Sequence, residues 1–318
     1  MCFMYELVPP EAMDVAADSA PWSVTAVVAV YNGARFLRAA IESILNQTRP
    51  VDEIIVVDDG SQDDSAEIAR SYPNVQVLTQ PNMGVVRSRN RGITDATSTW
   101  IAFLDQDDVW LPDKMERQIA GLQANPVAEV CMCGFQILID GKPGEIRRAP
   151  ENFARSLEHG CLALPSGTVA RKSALVRVGG FHVDAAKAED WDLLVRLKRS
   201  GTIFMSFPEP LMLYRRHGAN VTNDPAHIYT GDLEVFDRLI LPGIAAPLRP
   251  LARWRRVSML EGDRSILERE QGQPHLTRML RSLAMWPFGN GKRYRIAAHM
   301  VLRRLGAVGD DSIPPSAN

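Results

Sequence analysis

Three carboxylates lie within four positions of the stretch FLDQDDVW, residues 103–110. Asp105, Asp107 and Asp108 should repel one another at neutral pH unless a cation neutralises them. Carboxylates bind Mg²⁺ or Mn²⁺, which keep coordination positions for water and for the phosphates of a substrate. Such a metal stabilises the charge that develops on a diphosphate leaving group. The Asp-x-Asp pattern alone is weak, because it often arises by chance. The alternative is a helix N-cap with additional acids, since a helix is predicted from residue 112.

A second acidic pair, Glu189 and Asp190, lies far along the chain in AEDWDLLVRL. The pattern predicts an amphipathic helix over 188–201, and the helix dipole stabilises acids in a first turn. A catalytic role is the alternative, since a carboxylate can take a proton from an attacking hydroxyl group. Asp190 and Asp192 cannot face the same way on a helix, so at most one of them points into a site.

The elements that must position these acids begin at residue 24. Short apolar, β-branched runs alternate with helical patterns, which indicates an α/β fold with an open, mostly parallel sheet and helices on both faces. The predicted strands are 24–30, 52–61, 75–80 and 99–108, and the predicted helices are 31–47, 61–72, 84–96 and 112–126.

Polar residues follow three of these strands where each one ends. Tyr31 and Asn32 follow the first, Asp58 and Asp59 end the second, and the acids of residues 105–108 end the fourth. Because ligands of such sheets bind beyond the carboxyl ends of the strands, we expect these side chains to form one site.

The second half of the chain is less regular. The pattern predicts strands at 129–138 and 164–170, a helix at 172–181, and extended segments broken by prolines at 202–217. Beyond residue 220 the patterns are mainly helical. Residues 251–306 carry twelve Lys and Arg against four Asp and Glu. The apolar spacing favours a helical subdomain with a solvated basic side over an anchor for anionic lipid.

Composition narrows the function classes. A formal net charge of -2 argues against a general nucleic-acid binder. Cys131 and Cys133 lack a second pair at zinc-like spacing, so we expect buried thiols. The N-terminal residues do not resemble a secretory signal, and no window holds about 18 uninterrupted apolar residues. We therefore expect a cytoplasmic protein, with attachment to the inner membrane surface as the alternative.

Seven segments in a fixed order, from residue 24 to 217, together resemble a family 2 glycosyltransferase of the GT-A fold. They are VVAVYNG, EIIVVDDGSQDDS, QPNMGVVRSRNRGI, TWIAFLDQDDVWLPDKM, PSGTVARKSALVRVGGF, AEDWDLLVRL and MLYRRH. The resemblance implies a GT-A type nucleotide-binding sheet at 24–220, divided into a nucleotide-sugar half (24–110) and an acceptor and catalytic half (111–220). A tail (1–23) precedes it, and a helical region (221–318) follows it.

The resemblance also assigns residues to the nucleotide. The implied nucleotide-binding residues are Val30, Tyr31, Asn32, Asp58, Asp59, Arg89 and Asp105. The end of the first strand is expected to line the pocket, and one of the two acids of the second strand to contact a uracil or thymine ring. Arg89 is expected to hold the nucleotide, and Asp105 to contact its ribose.

Metal binding and catalysis are assigned to five residues on the same basis. Asp107 is the expected metal ligand, joined by Asp105 and by His217, for Mg²⁺ or Mn²⁺. A structural histidine is an equal alternative at residue 217. Asp190 is the expected catalytic base, with Glu189 beside it.

The resemblance implies an inverting, metal-dependent transferase of the hexosyltransferase type, as in polysaccharide biosynthesis. The donor would be a UDP- or dTDP-sugar, and the acceptor a saccharide, a lipid-linked molecule or a small molecule.

A non-catalytic nucleotide-sugar-binding or scaffold protein is one alternative, against which the intact acidic pairs argue. A sugar-phosphate nucleotidyltransferase is another, but YNGARFL matches its Gly-rich basic phosphate loop poorly. Ala29 and Ser88 depart from the family pattern without removing a catalytic group.

Overall fold

The computed structural model describes residues 22–160, 164–273, 275–288 and 291–304. The predicted N-terminal tail lies outside the described residues, except for Trp22 and Ser23. The chain divides into two compact units, Met1–Gly218 and Ala219–Asn318. The predicted end of the sheet domain at residue 220 lies two residues from this division.

The first half of unit one alternates strands and helices as the sequence predicts. The strands are β1 (Val24–Val30), β2 (Glu53–Asp58), β3 (Gln76–Thr79) and β4 (Trp100–Asp105), and the helices are α1 (Ala34–Leu45), α2 (Ser65–Arg70) and α3 (Val85–Asp95). β1 pairs in parallel with β2 and β4, and β2 pairs in parallel with β3. Helices cover this sheet, so β1 is buried almost throughout, as its unbroken apolar run requires.

The second half adds strands of both directions to the same sheet. Its elements are β5 (Val109–Trp110), α4 (Lys114–Ala124), β6 (Val130–Ile139), β7 (Lys142–Arg147), α5 (Phe153–Ser156), β8 (Val169–Arg171), α6 (Lys172–Arg177), α7 (Glu189–Arg199) and β9 (Phe204–Arg216). The strand order is β3-β2-β1-β4-β8-β6-β9-β5, with β7 on β6. β8 runs antiparallel to β4 and β6, whereas β6 and β9 are parallel. The open α/β sheet is therefore mixed rather than mostly parallel.

Two local predictions need correction. The region predicted as segments broken by prolines is the single 13-residue strand β9, because register shifts at Gly134 of β6 accommodate Pro208 and Pro210. A Cβ at Gly134 would lie 2.5 Å from the Pro208 carbonyl oxygen, so only glycine fits. The predicted strand at 164–170 begins instead with a 3₁₀ turn, Pro165–Gly167, before β8.

Unit two is helical, as predicted. A helix α8 (Pro225–Val235) continues into a π-helical segment, Phe236–Ile240, and is followed by α9 (Arg249–Glu270), α10 (Leu276–Met285) and α11 (Gly291–Arg304). Its interior uses polar groups: the Arg293 guanidinium donates to the hydroxyl groups of Ser258 and Ser282 at 3.0 Å. None of the described helices has the length and apolar composition needed to cross a membrane.

Lys114, the first residue of α4, is fully buried beneath the sheet. Its ammonium lies 4.2 Å from the centre of the Trp110 ring and has no hydrogen-bond partner among the described residues. Burial lowers its pKa to about 8. Keeping Lys114 charged in this buried position therefore lowers the free energy of unfolding.

Cys131 and Cys133 are free and buried, as predicted.

Replacing Lys114 with methionine, of similar length and uncharged, should stabilise the protein. A folded-state pKa of about 8 against 10.5 means that the cost of burying the ammonium is fully present below pH 8 and disappears above pH 10.5. At pH 7 the free energy of unfolding of Lys114→Met should exceed that of the wild type by up to about 3 kcal/mol. The difference should shrink as pH rises from 8 to 10.5, measured by denaturant unfolding.

Lys172→Met is the contrasting control. The Lys172 ammonium donates to the carbonyl oxygens of Ala96 at 2.6 Å and Thr94 at 3.3 Å, so its loss should destabilise the protein. A Lys114→Met variant as destabilised as Lys172→Met at pH 7 would show that the Lys114 ammonium is needed by the fold.

Candidate functional site

Arg89 on α3 joins the two acidic regions that the sequence singled out. Its guanidinium donates to Asp105 Oδ1 at 2.5 Å and to Glu189 Oε1 at 2.7 Å. The side chain is 5% exposed and lies 5.3 Å from the centre of the Phe181 ring. Burial alone would lower the Arg89 pKa, but Asp105 and then Glu189 raise it above its ordinary value. Arg89 therefore stays charged and holds the end of β4 against the start of α7.

Phe181, whose ring lies beside Arg89, is held by Asn90, the next residue of α3. Asn90 Nδ2 donates to the Phe181 carbonyl oxygen at 2.8 Å, and its Oδ1 accepts from the Phe181 amide at 2.9 Å. This bidentate contact places the Phe181 ring beside the Arg89 guanidinium. Sequence reasoning missed Phe181. It ends the segment PSGTVARKSALVRVGGF, but a phenylalanine at the end of a predicted helix gives no sign of a role beside an arginine.

The residues after β4 form a turn, residues 105–108, that we call the acidic turn. Its Asp108 amide donates to the Asp105 carbonyl oxygen at 3.1 Å. Gln106 Oε1 accepts from the Tyr31 amide at 2.8 Å, and its Nε2 donates to the Tyr31 carbonyl oxygen at 3.3 Å. The turn is thereby attached to the end of β1.

Asp107 faces the end of β9. Its Oδ2 lies 2.8 Å from His217 Nε2, and its carbonyl oxygen accepts from Arg215 Nε at 2.9 Å. The His217 ring stacks on Phe36, the third residue of α1, with ring centres 4.7 Å apart. The structure thus brings the predicted metal ligands Asp107 and His217 together across 110 residues of sequence.

Asp108 is the buried member of the acidic turn. Its Oδ2 accepts from the Ser166 hydroxyl at 2.6 Å, and its Oδ1 accepts from the Arg215 amide at 3.0 Å. The same Ser166 oxygen accepts from the Asp105 amide at 3.0 Å. Ser166 and Asp108 therefore brace both ends of the turn. Sequence reasoning missed Ser166, because a serine beside a proline and a glycine suggests only a turn.

Crowding affects the protonation of this turn. Burial first, and then the Asp105 charge, raise the pKa of Asp107, while His217 opposes the rise. Burial, Asp105 and Asp107 raise the pKa of Asp108 well above its ordinary value. A cation at the turn would relieve this repulsion, so the donor chemistry fits a divalent metal.

The protein ligands for such a metal are few. Among the residues the structure describes, no three His, Cys, Asp or Glu side chains form a complete ligand set. Asp107 and His217 offer one carboxylate and one imidazole at the rim of the sheet. A hard cation that keeps several waters or phosphate oxygens suits so small a set.

The predicted acids of β2 lie at the same edge, and both are buried. Asp59 accepts from Gln80 Nε2 at 2.7 Å and from the amides of Met83 at 2.9 Å and Gly84 at 2.7 Å. Asp58 accepts from the Ser61 amide at 3.0 Å. A carboxylate has about four acceptor positions, so Asp59 keeps room for one more donor in a fixed orientation.

The end of β1 completes this side of the site. Val30 is buried, whereas Tyr31 is 43% exposed. Asn32 adopts a positive φ of 49°. Its amide donates to the Ser61 hydroxyl at 3.0 Å, and its Oδ1 accepts from the Gln62 amide at 2.8 Å. The strained Asn32 is therefore held by the loop that follows β2.

The three acids in the first turn of α7, Glu189, Asp190 and Asp192, have different surroundings. Asp192 is fully buried and accepts from Arg196 Nε at 2.7 Å. Arg196 also donates to the Val178 and Gly180 carbonyl oxygens, so Asp192 belongs to the packing of this helix. Asp190 is half-buried, and its Oδ1 accepts from the Trp191 amide at 2.6 Å. Of the two aspartates, Asp190 is the one that solvent reaches.

Known proteins share this architecture. Residues 25–182 match the family described as glycosyl transferase family 2. An uncharacterized glycosyltransferase of Rickettsia prowazekii is 33% identical over 63% of this chain and 66% of its own length. An uncharacterized glycosyltransferase of Nostoc sp. is 33% identical over 62% of this chain and, again, 66% of its own length.

Solved structures show the fold. Residues 1–349 of Staphylococcus aureus TarS, in complex with UDP-GlcNAc, have a TM-score of 0.56 at 15% identity, covering 92% of this chain and 95% of that TarS segment. The mannosyltransferase PcManGT from Pyrobaculum calidifontis, in complex with GDP-Man and Mn²⁺, has a TM-score of 0.59 at 18% identity, covering 92% of both chains. The fold is that of the GT-A glycosyltransferases, as the sequence resemblance implied.

Replacing Arg89 with methionine should strongly destabilise the protein. The change leaves the carboxylates of Asp105 and Glu189 without their cation, and breaking a buried ion pair in this way costs about 3–5 kcal/mol. The free energy of unfolding, measured in urea at pH 7, should fall by that amount.

Two further variants test the cause. Arg89→Met combined with Asp105→Asn and Glu189→Gln should recover more than half of the loss, because no unpaired charge remains. Arg117→Met removes a more exposed arginine, 3.5 Å from Glu209 and 3.8 Å from Asp113, and should cost less than about 1 kcal/mol. Equal losses for Arg89→Met and Arg117→Met would contradict the bridging role.

Proposed function

We propose that this chain, which belongs to glycosyl transferase family 2 through residues 25–182, transfers a sugar from a nucleotide sugar to an acceptor hydroxyl group. The observation that carries the proposal is the bridge from Asp105 through Arg89 to Glu189. It joins an acidic turn suited to a metal and a diphosphate to a helix start that offers a solvent-accessible carboxylate. Binding of a donor and removal of an acceptor proton can then occur at one edge of the sheet.

The donor is proposed to be a UDP- or dTDP-sugar. Uracil and thymine present a ring N–H to a carboxylate, whereas cytosine presents an acceptor nitrogen at that position. Asp59, with three hydrogen bonds that fix its orientation, suits this contact, and Asp58 is the alternative. Tyr31 lies exposed on the same edge, where its ring could cover a base. The similar TarS structure contains UDP-GlcNAc and the similar PcManGT structure contains GDP-Man, so guanine, which also presents a ring N–H, is the competitor to test.

The metal is proposed to be Mg²⁺ or Mn²⁺, held by Asp107 and His217, with Asp105 nearby. When bound, such an ion stabilises the negative charge of a departing diphosphate. Asp105 is held by Arg89, so its role in this proposal is toward the ribose and toward the geometry of the turn. Ser166 and Asp108 position the turn, and Gln106 fixes its distance from Tyr31.

Asp190 is proposed as the general base. It takes the proton of the acceptor hydroxyl while the hydroxyl oxygen forms a bond to the anomeric carbon. The bond from that carbon to the diphosphate oxygen breaks on the opposite side, which inverts the configuration. Glu189 is committed to Arg89 at 2.7 Å, so we assign it a positioning role beside the base.

The alternatives have less support at this site. A scaffold protein would not need the half-buried Asp190 next to Glu189, nor the Arg89 guanidinium that links Glu189 to the acidic turn. A nucleotidyltransferase would need basic groups on a Gly-rich loop after β1, whereas the Asn32 loop is held by Ser61 and Gln62. The acceptor class, a hexosyl donor and a role in polysaccharide biosynthesis are proposed from the family resemblance alone.

Asp190→Asn should abolish transfer while leaving donor binding intact. The amide keeps the shape of the side chain but cannot accept the proton, so the turnover rate should fall by about 10²–10⁴. Release of the nucleotide diphosphate in the presence of acceptor measures turnover, and calorimetry measures UDP affinity. Asp184→Asn, an exposed aspartate just before α7, is the matched control and should keep full activity. Normal turnover of Asp190→Asn would remove it as the base.

Binding of nucleotides with and without Mn²⁺ tests the donor and the metal together. UDP and dTDP should bind at least about tenfold tighter with Mn²⁺, and CDP should bind at least about tenfold more weakly than UDP. Asp107→Ala should lose the effect of Mn²⁺, whereas Asp113→Ala should keep it, because Asp113 is a half-exposed aspartate at the start of α4. A preference for GDP would overturn the uracil assignment, and no metal-dependent response to any nucleotide would contradict the proposed function.

A further inference from the structure

Unit two exposes a continuous surface segment, residues 245–255, that the packing of its helices does not use. Ten of its eleven residues are exposed, and the other, Ala252, is half-buried. Three of them are large apolar side chains: Leu248 is 55% exposed, Leu251 50% and Trp254 52%. Isolated exposed leucines are common, but apolar residues at successive turns form a patch, and such patches mark interaction sites.

The apolar residues share one side of the start of α9. Leu248, Leu251 and Trp254 follow each other at intervals of three, and Arg255 lies four residues after Leu251, so their side chains are neighbours. The first two turns of α9, up to Arg255, contain no buried residue, whereas buried residues recur from Arg256 onward. The helix therefore begins outside the core that its later turns form.

The charge of this segment has one sign. It contains Arg249, Arg253 and Arg255 and no acidic residue. The Arg249 guanidinium donates to the carbonyl oxygens of Pro242 and Ile244, which leaves its charge at the surface. Arg253 pairs with Asp237 in an exposed contact of small energy. The segment thus combines two leucines, one tryptophan and three arginines.

Other basic residues of unit two are used inside it. Arg278 pairs with Glu261 at 2.7 Å and Glu268 at 2.9 Å, and Arg256 pairs with Asp232 at 3.1 Å. Arg293 is buried against serine hydroxyls. The basic excess seen in the sequence is therefore partly structural, and residues 245–255 keep arginines at the surface beside apolar side chains.

We propose that residues 245–255 dock on the surface of an anionic lipid bilayer. Leucine side chains enter the boundary between headgroups and acyl chains, tryptophan is favoured at that depth, and arginines bind lipid phosphates. A protein partner fits less well, because the charged groups of the segment are arginines alone, which match a surface of uniform negative charge. This attachment is independent of the proposed transfer reaction and needs no membrane-spanning helix.

Co-sedimentation of the full chain with vesicles tests the docking surface. The wild type should bind vesicles of phosphatidylcholine and phosphatidylglycerol (3:1) and bind pure phosphatidylcholine vesicles at least about tenfold more weakly. Leu251→Glu combined with Trp254→Glu should abolish binding, and Arg255→Gln should weaken it about fivefold. Raising the salt from 0.1 M to 0.5 M should weaken binding to the anionic vesicles, because salt screens surface charge.

Matched measurements separate the other outcomes. Val127→Glu alters a comparably exposed apolar residue of unit one and should leave vesicle binding unchanged. Leu251→Glu combined with Trp254→Glu should leave UDP binding unchanged, which separates this proposal from the proposed function. Equal binding to both vesicle types, or no binding to either, would overturn the proposal. Concentration-dependent dimers that Trp254→Glu dissolves, without vesicle binding, would assign the segment to self-association instead.

Discussion

The buried guanidinium of Arg89 is the interaction on which the rest of the site depends. It neutralises Asp105 and Glu189, which come from opposite halves of the sheet unit, at 2.5 and 2.7 Å. Two carboxylates in this environment would otherwise be expensive to bury. Its own position is fixed by Phe181, which Asn90 holds by two hydrogen bonds. The end of β4 and the start of α7 therefore have a defined separation before any ligand arrives.

The acidic turn shows how like charges are tolerated beside each other. Each of its side chains goes to a different part of the fold: Asp105 to Arg89, Gln106 to the end of β1, Asp107 to His217, and Asp108 to Ser166. Dispersal gives each polar group a partner, although burial and mutual repulsion still raise the pKa of Asp107 and Asp108. The turn is thereby held by several parts of the fold, and it keeps carboxylates that would suit the proposed cation.

The two units use charge differently. Unit one places Asp58, Asp59 and the acidic turn at one edge of the sheet, where a donor is proposed to bind. Unit two buries ion pairs and serine–arginine contacts among its helices and leaves an arginine-bearing apolar segment at its surface. The acidic and basic regions nearly cancel in the formal net charge of -2, so the net charge reveals neither the acidic site nor the basic surface.

The sequence by itself determined the elements, the sheet edge and the candidate acids. Strands β1, β2 and β4 and helix α7 lie within about three residues of their predicted bounds at either end, because local periodicity and apolar runs specify them. Only the tertiary structure decided which groups meet. Arg89 and Glu189 are 100 residues apart, Asp107 and His217 are 110 apart, and Ser166 lies 58 residues from Asp108. It also decided that Asp192 is packed while Asp190 is accessible, and that β9 continues through its prolines. Local propensity cannot determine such pairings, since they depend on strand order and register, which arise when the whole chain buries its core.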